Sequence, residues 1–117
     1  MRPLQGFGTT SLPPSSRNRS VRTASTVIIS GTTTENCCHA TARDAMFNDY
    51  KVVFLSDATG SFDYPDVGYG AMSAEEVHKA TLCILAFSTA HVMTVDELKT
   101  LIERATTAVR AKRKKAA

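Results

Sequence analysis

The chain has 117 residues, 43% of them hydrophobic, with five Phe and three Tyr, which is the size and composition of one ordinary globular domain. Its net charge of +3 is unevenly laid out: residues 1–34 hold four Arg and no acid, residues 110–117 hold five Lys or Arg, and residues 35–109 hold five cations against eleven acids, a balance of −6. An acidic body with basic ends argues against a nucleic-acid-binding face, no apolar run approaches a membrane span, and three cysteines, two of them adjacent, make no disulfide framework, so a soluble protein of the reducing cytoplasm is expected.

Residues 1–25 contain three of the four Pro, two of the six Gly, many Ser and Thr and few large apolar side chains. They are expected to form a disordered or non-native leader outside the domain. Their Arg and Ser content without acids also fits an organelle transit peptide. From Thr26 the pattern alternates, with residues 26–109 as the domain and residues 110–117 as a basic tail. The pattern predicts strands over Val27 to Ser30, Lys51 to Ser56 and Ala90 to Thr94, and helices over Asn36 to Asn48, Ser73 to Ser88 and Val95 to about Lys112. Val52-Val53-Phe54-Leu55 is apolar at successive positions, as in a strand covered on both faces. Strand and helix in alternation imply an α/β fold with parallel pairing.

Two helix starts carry local signatures. Ser73 with Glu76, and Thr94 with Glu97, each fit the capping box, in which hydroxyl and carboxylate satisfy reciprocal backbone donors. In the last helix Leu98, Leu101, Ile102, Ala105 and Val109 fall on one face. Cys38, Ala42, Ala45 and Met46 give the first helix a face of mostly small side chains that allows close approach to a sheet.

The chemistry centres on the stretch from Val27 to Ala45. An apolar run stops at Gly31, a polar turn follows, and a helix begins with Cys37 in its first turn. Unpartnered backbone N–H groups and the positive end of a helix dipole stabilise negative charge on sulfur and offer donors to an oxyanion. Cys37 is therefore the candidate nucleophile, although a lone cysteine is more often core packing. Cys37-Cys38-His39 is a poor metal site, since consecutive helical residues point about 100° apart. His78 and His91 are read as packing or strand-surface residues without a recognisable partner.

Gly31-x-Thr33-Thr34-x-x-Cys37-Cys38-x-x-Thr41-Ala42-Arg43-Asp44-Ala45, followed by Tyr50-Lys51-Val52 and Asp57-Ala58, resembles the nucleophile segment of the isochorismatase-like cysteine hydrolases, over about Thr26 to Leu98. The resemblance implies part of a doubly wound, Rossmann-like parallel sheet, here three strands alternating with three helices. It implies a hydrolase that opens a C–N bond of a small amide or ureide, with the backbone N–H groups of Thr33 and Cys37 as oxyanion donors and a cis peptide at Thr32-Thr33. No cofactor or metal, no nucleic acid and no membrane is implied, and full-length members are expected to be homo-oligomers. True isochorismatases generally lack the cysteine, so Cys37 sides with the amidohydrolases, and within them with the ureidoacrylate and biuret branch.

The same resemblance calls for a general-base Asp and a Lys upstream of the cysteine. Residues 1–26 contain no Asp, Glu or Lys. The chain is therefore expected to represent the C-terminal half of the family domain, to expose Val27 to Ser30 as a sheet edge, and to have little activity alone. The alternative from a different class is a catalytically dead interaction module that pairs through that edge. The loop Ser61 to Gly70 follows a strand's carboxyl end, where open α/β sheets place ligands, and its Phe62 and Tyr64 are candidate substrate contacts; an ordinary surface loop is the competing reading.

Overall fold

The computed structural model describes residues 25–116. Three parallel strands, β1 (Thr26–Thr32), β2 (Lys51–Gly60) and β3 (His91–Met93), lie in the order β1-β2-β3. Between them run α1 (His39–Phe47) and α2 (Ala74–Ser88), and α3 (Val95–Ala116) closes the described chain. The α/β architecture of three strands and three helices is as the alternating pattern predicts. Apart from Ser25, whose carbonyl accepts the Lys51 N–H at 2.9 Å, the proposed leader lies outside the described residues.

β2 is central, and Val52, Val53, Phe54 and Leu55 are all buried, as a successive apolar run on a doubly covered strand requires. Phe54 is completely enclosed, packing in a core with Ile29, Cys38, Ala42, Ala45, Tyr50, Val52 and Leu85. Ala42 and Ala45 are likewise fully buried, and it is their small size that brings α1 onto the sheet. The end of α1 is fixed by a Schellman motif: Asp49 takes the left-handed conformation (φ 65), its N–H reaches the Met46 carbonyl, and Tyr50 N–H reaches Ala45.

Several boundaries differ from the sequence reading: β1 runs on to Thr32, β3 is confined to His91–Met93, and β2 and α3 are longer. The second strand does not stop at Ser56 but runs to Gly60. Ile29 pairs with Phe54 and Gly31 with Thr59, so β2 carries extra residues in a bulge that closes on a Thr59 Oγ1–H bond to the Leu55 carbonyl at 2.8 Å. The last helix continues past Lys112 to Ala116, taking in the basic residues. Its apolar face, expected from the spacing, packs little: α3 buries no residue, and Leu101, Ile102 and Val109 are each about half exposed.

The bulge distributes its polar groups among neighbouring elements. The Ser56 carbonyl faces α2, the Ser56 hydroxyl donates to Met93 of β3 at 3.3 Å, and the Asp57 carboxylate accepts the Val95 N–H at the start of α3 at 2.9 Å. Both capping boxes form, Ser73 Oγ and Thr94 Oγ1 each accepting from the Glu three residues on at 3.2 Å.

Candidate active site

The carboxyl end of β1 turns at Gly31, whose φ of +115 is left-handed territory where an L side chain is strained; a Cβ there would meet nothing within 4 Å, so the requirement is conformational. The Thr32-Thr33 peptide is cis, as the family resemblance implies. Thr33 is extended (φ −96, ψ 152) and starts the next turn.

That turn corrects the sequence reading. Cys37 does not lie in the first turn of an α-helix from Asn36 to Asn48. It lies in a wider π-type turn, Thr34–Cys38, and α-helical geometry begins only at His39. The cause is visible in the bonding: the Thr33 carbonyl accepts Cys38 N–H, five residues on, at 3.1 Å, and also Asn36 N–H at 3.3 Å. A wider turn rotates the two adjacent cysteines differently. Cys38 is buried in the core, its Sγ 3.9 Å from the Ser30 carbonyl, whereas Cys37 is half-buried at the surface of a groove. Burial, then the neighbouring Cys37 and Glu35, push the Cys38 thiol up from its ordinary range.

The groove, about 310 Å³, is lined by the β1 residues from Val27 to Thr32 together with Cys37, Cys38 and Thr41. β1 is the edge of the sheet among the described residues, so the groove runs beside an open strand. Its lining contains no acid and no lysine.

Two polar clusters hold the turn in place, and neither is apparent in the sequence. Thr34 is fully buried, and its Oγ1 lies 2.8 Å from Nδ1 of His78 on α2, while His78 Nε2 lies 3.0 Å from the Ser56 carbonyl. A carbonyl can only accept, so Nε2 donates to Ser56, while the Thr34 hydroxyl, which can donate or accept, partners Nδ1. His78 thus has two partners, against the sequence expectation of none, because the fold brings together residues 44 and 22 positions apart. His91 is exposed on β3, as a strand-surface histidine.

The second cluster is built on Glu35. Its carboxylate accepts the hydroxyls of Ser61 and Tyr64, each at 2.6 Å, and Asn36 Nδ2 donates to the Tyr64 oxygen at 3.2 Å. Burial alone would push the Glu35 carboxyl up, but the Ser61 and Tyr64 hydroxyls, its own backbone N–H and the Thr33 hydroxyl together hold it below its ordinary value. The bond to Glu35 correspondingly raises Tyr64. Tyr64 also stacks on Phe62, ring centres 4.6 Å apart at 18°, and pairs through its backbone with Met72. Phe62 and Tyr64 are therefore fastened to the Cys37-bearing turn, although neither lines the groove.

Comparison with known proteins agrees with this fold. The sequence profile of the Isochorismatase domain matches residues 2–97. The chain belongs to the isochorismatase family. The matched span begins well upstream of Thr26, where the nucleophile-segment resemblance starts. Nicotinamidase 3 of Arabidopsis thaliana is 38% identical over 73 residues, which cover 62% of this chain and 31% of that protein. The crystal structure of a cysteine hydrolase from Pseudomonas syringae pv. phaseolicola 1448A superposes with a TM-score of 0.68 at 44% identity, covering 69% of this chain and 38% of the other. An isochorismatase-like hydrolase from Alkaliphilus metalliredigens matches at TM-score 0.52 and 36% identity, covering 66% and 36%. The family and these relatives are hydrolases, and the chain spans well under half the length of each.

Proposed function

We propose that this is the nucleophile-bearing part of a cysteine amidohydrolase acting on a C–N bond of a small amide or ureide. The observation that carries the reading is the difference in exposure between adjacent cysteines, Cys38 buried in the core and Cys37 half-buried at the groove on a turn held from two sides. The Cys37 thiolate attacks the substrate carbonyl carbon, a C–S bond forms, and the oxyanion rests on the backbone N–H groups of Thr33 and Cys37. The C–N bond then breaks, the amine leaves with the proton that the Cys37 thiol gave up on ionising, and water hydrolyses the thioester, releasing the acid and restoring the thiol. The name of the Arabidopsis relative supports a carboxamide-type substrate; the motif around Cys37 favours the ureidoacrylate and biuret branch. Phe62 and Tyr64 are substrate contacts in this reading.

The family's general-base Asp and assisting Lys are not among the residues lining the groove. A nucleophile without its cooperative partners loses several orders of magnitude in rate, so this 117-residue chain has little or no turnover by itself. The test uses p-nitrophenyl acetate, an activated ester that needs little help from a base. Mass spectrometry should find the acetyl group on Cys37, lost in Cys37→Ser, while nicotinamide and biuret are not turned over. Equal acetylation of exposed Cys83 overturns the reading, and turnover of either amide overturns the expected inactivity of this chain.

A second reading keeps the fold without the chemistry: an interaction module that pairs through β1. It is favoured by the open edge of β1 and by Ile28, 50% exposed on it. Cys37 reactivity no greater than that of Cys83, together with strand-mediated self-association, would select it.

A further inference from the structure

Three hydroxyls converge on the Glu35 carboxylate: those of Ser61 and Tyr64, each at 2.6 Å, and that of Thr33 on the same turn. Ser61 and Tyr64 belong to the loop after β2, and that loop is braced. Tyr64 and Met72 exchange backbone hydrogen bonds at 2.8 and 3.2 Å, the Asp63 carboxylate accepts the Ala74 N–H at the start of α2 at 2.7 Å, and Phe62 stacks on the Tyr64 ring. The Cys37-bearing turn has no such brace at its own start: Thr33, its N-cap, makes no side-chain cap bond, unlike Ser73 and Thr94. Glu35 ties Thr33 to the fixed loop instead, and Asn36 Nδ2 adds a second tie to the Tyr64 oxygen at 3.2 Å. An ionised carboxylate suits this place, since it accepts at both oxygens and donates nothing, whereas an amide would turn an N–H against one of the hydroxyls.

Thr33 and Cys37, whose backbone N–H groups receive the oxyanion in the reaction proposed above, stand two residues to either side of Glu35. Resting on Cys37 as the nucleophile, we propose that Glu35 is a positioning residue for acyl transfer, which fixes the aim of those two N–H groups by holding the turn against the loop. It acts through the turn and not on the substrate. Stabilisation of a developing oxyanion depends steeply on where its donors point, so a slackened turn loses rate at a carbonyl centre while the thiol stays as exposed as before.

Two reagents separate donor placement from thiol reactivity in the full 117-residue chain. With p-nitrophenyl acetate the Cys37 sulfur bonds to the carbonyl carbon, negative charge passes through the carbonyl oxygen, and the C–O bond breaks as p-nitrophenolate leaves. With iodoacetamide the sulfur displaces iodide from the CH2 carbon and no oxyanion forms. The ratio of the two rates at Cys37, read by mass spectrometry, cancels changes in thiol ionisation and exposure. Glu35→Gln should lower acetylation roughly tenfold and alkylation by less than about twofold. Tyr64→Phe, which keeps the charge and the ring, should lower the ratio in the same direction, and the two changes together should cost no more than Glu35→Gln alone, because they cut one tie. An unchanged ratio in both variants, whether the two rates hold or fall together, overturns the proposal, and so does a double substitution whose loss is the product of the single ones. Acetylation of the unsubstituted chain no faster at Cys37 than at Cys83 overturns the nucleophile reading and this proposal with it, and is told apart because it appears before any substitution is made.

Discussion

Cys37 and Cys38 share a sequence environment yet differ in exposure: on the π-type turn Cys37 is half-buried at the groove, whereas Cys38 is buried in the core that forms part of the groove's wall. Thr34 is the fully buried side chain of the turn. Thr34→Val keeps the volume but strips the buried hydroxyl from His78 Nδ1, and should cost about 1–3 kcal/mol in urea unfolding; a change below the error of the measurement would show that the His78 bridge is dispensable. Glu35 gives the turn a pH response. Its folded carboxyl lies below its unfolded value, so its contribution is complete above the unfolded pKa and is lost as pH falls through the folded one. The Tyr64 ring resonances should shift over that acidic window, and Glu35→Gln should abolish the shift. Cys37 was legible because its signal is local: glycine, hydroxylated turn and cysteine lie within seven residues. His78 and Ser61 were not, since nothing within their own segments indicates that Thr34 or Glu35 will lie beside them.

The same distinction between local and distant causes holds for whole elements. Both capping boxes were readable because donor and acceptor sit three residues apart, and both form. Ser73→Ala should therefore lower stability by about 1 kcal/mol through loss of the α2 cap, measurable by thermal unfolding. The extension of β2 to Gly60 was hidden, because a bulge is defined by the strand opposite: Thr59 and Gly60 become strand only by pairing with Gly31 and Thr32. The apolar stripe of α3 was also correctly read as a face. What spacing cannot state is whether that face meets the body of the same chain, and among the described residues it packs little.

At the scale of the molecule, one central strand carries much of the core. Phe54 is enclosed by residues of β1, β2, α1 and α2, and its truncation to Ala should cost about 3–5 kcal/mol. Against a domain stability of about 5–15 kcal/mol this is a large share, and urea titration should show the midpoint collapse. The groove beside β1 and the cysteine that opens onto it form one surface. The central claim is that this arrangement makes Cys37 a nucleophile and its two sister cysteines ordinary thiols. Iodoacetamide labelling at neutral pH, followed residue by residue, tests it: Cys37 should react faster than glutathione and faster than exposed Cys83, with Cys38 slowest. A rate at Cys37 no greater than that of glutathione would contradict the account.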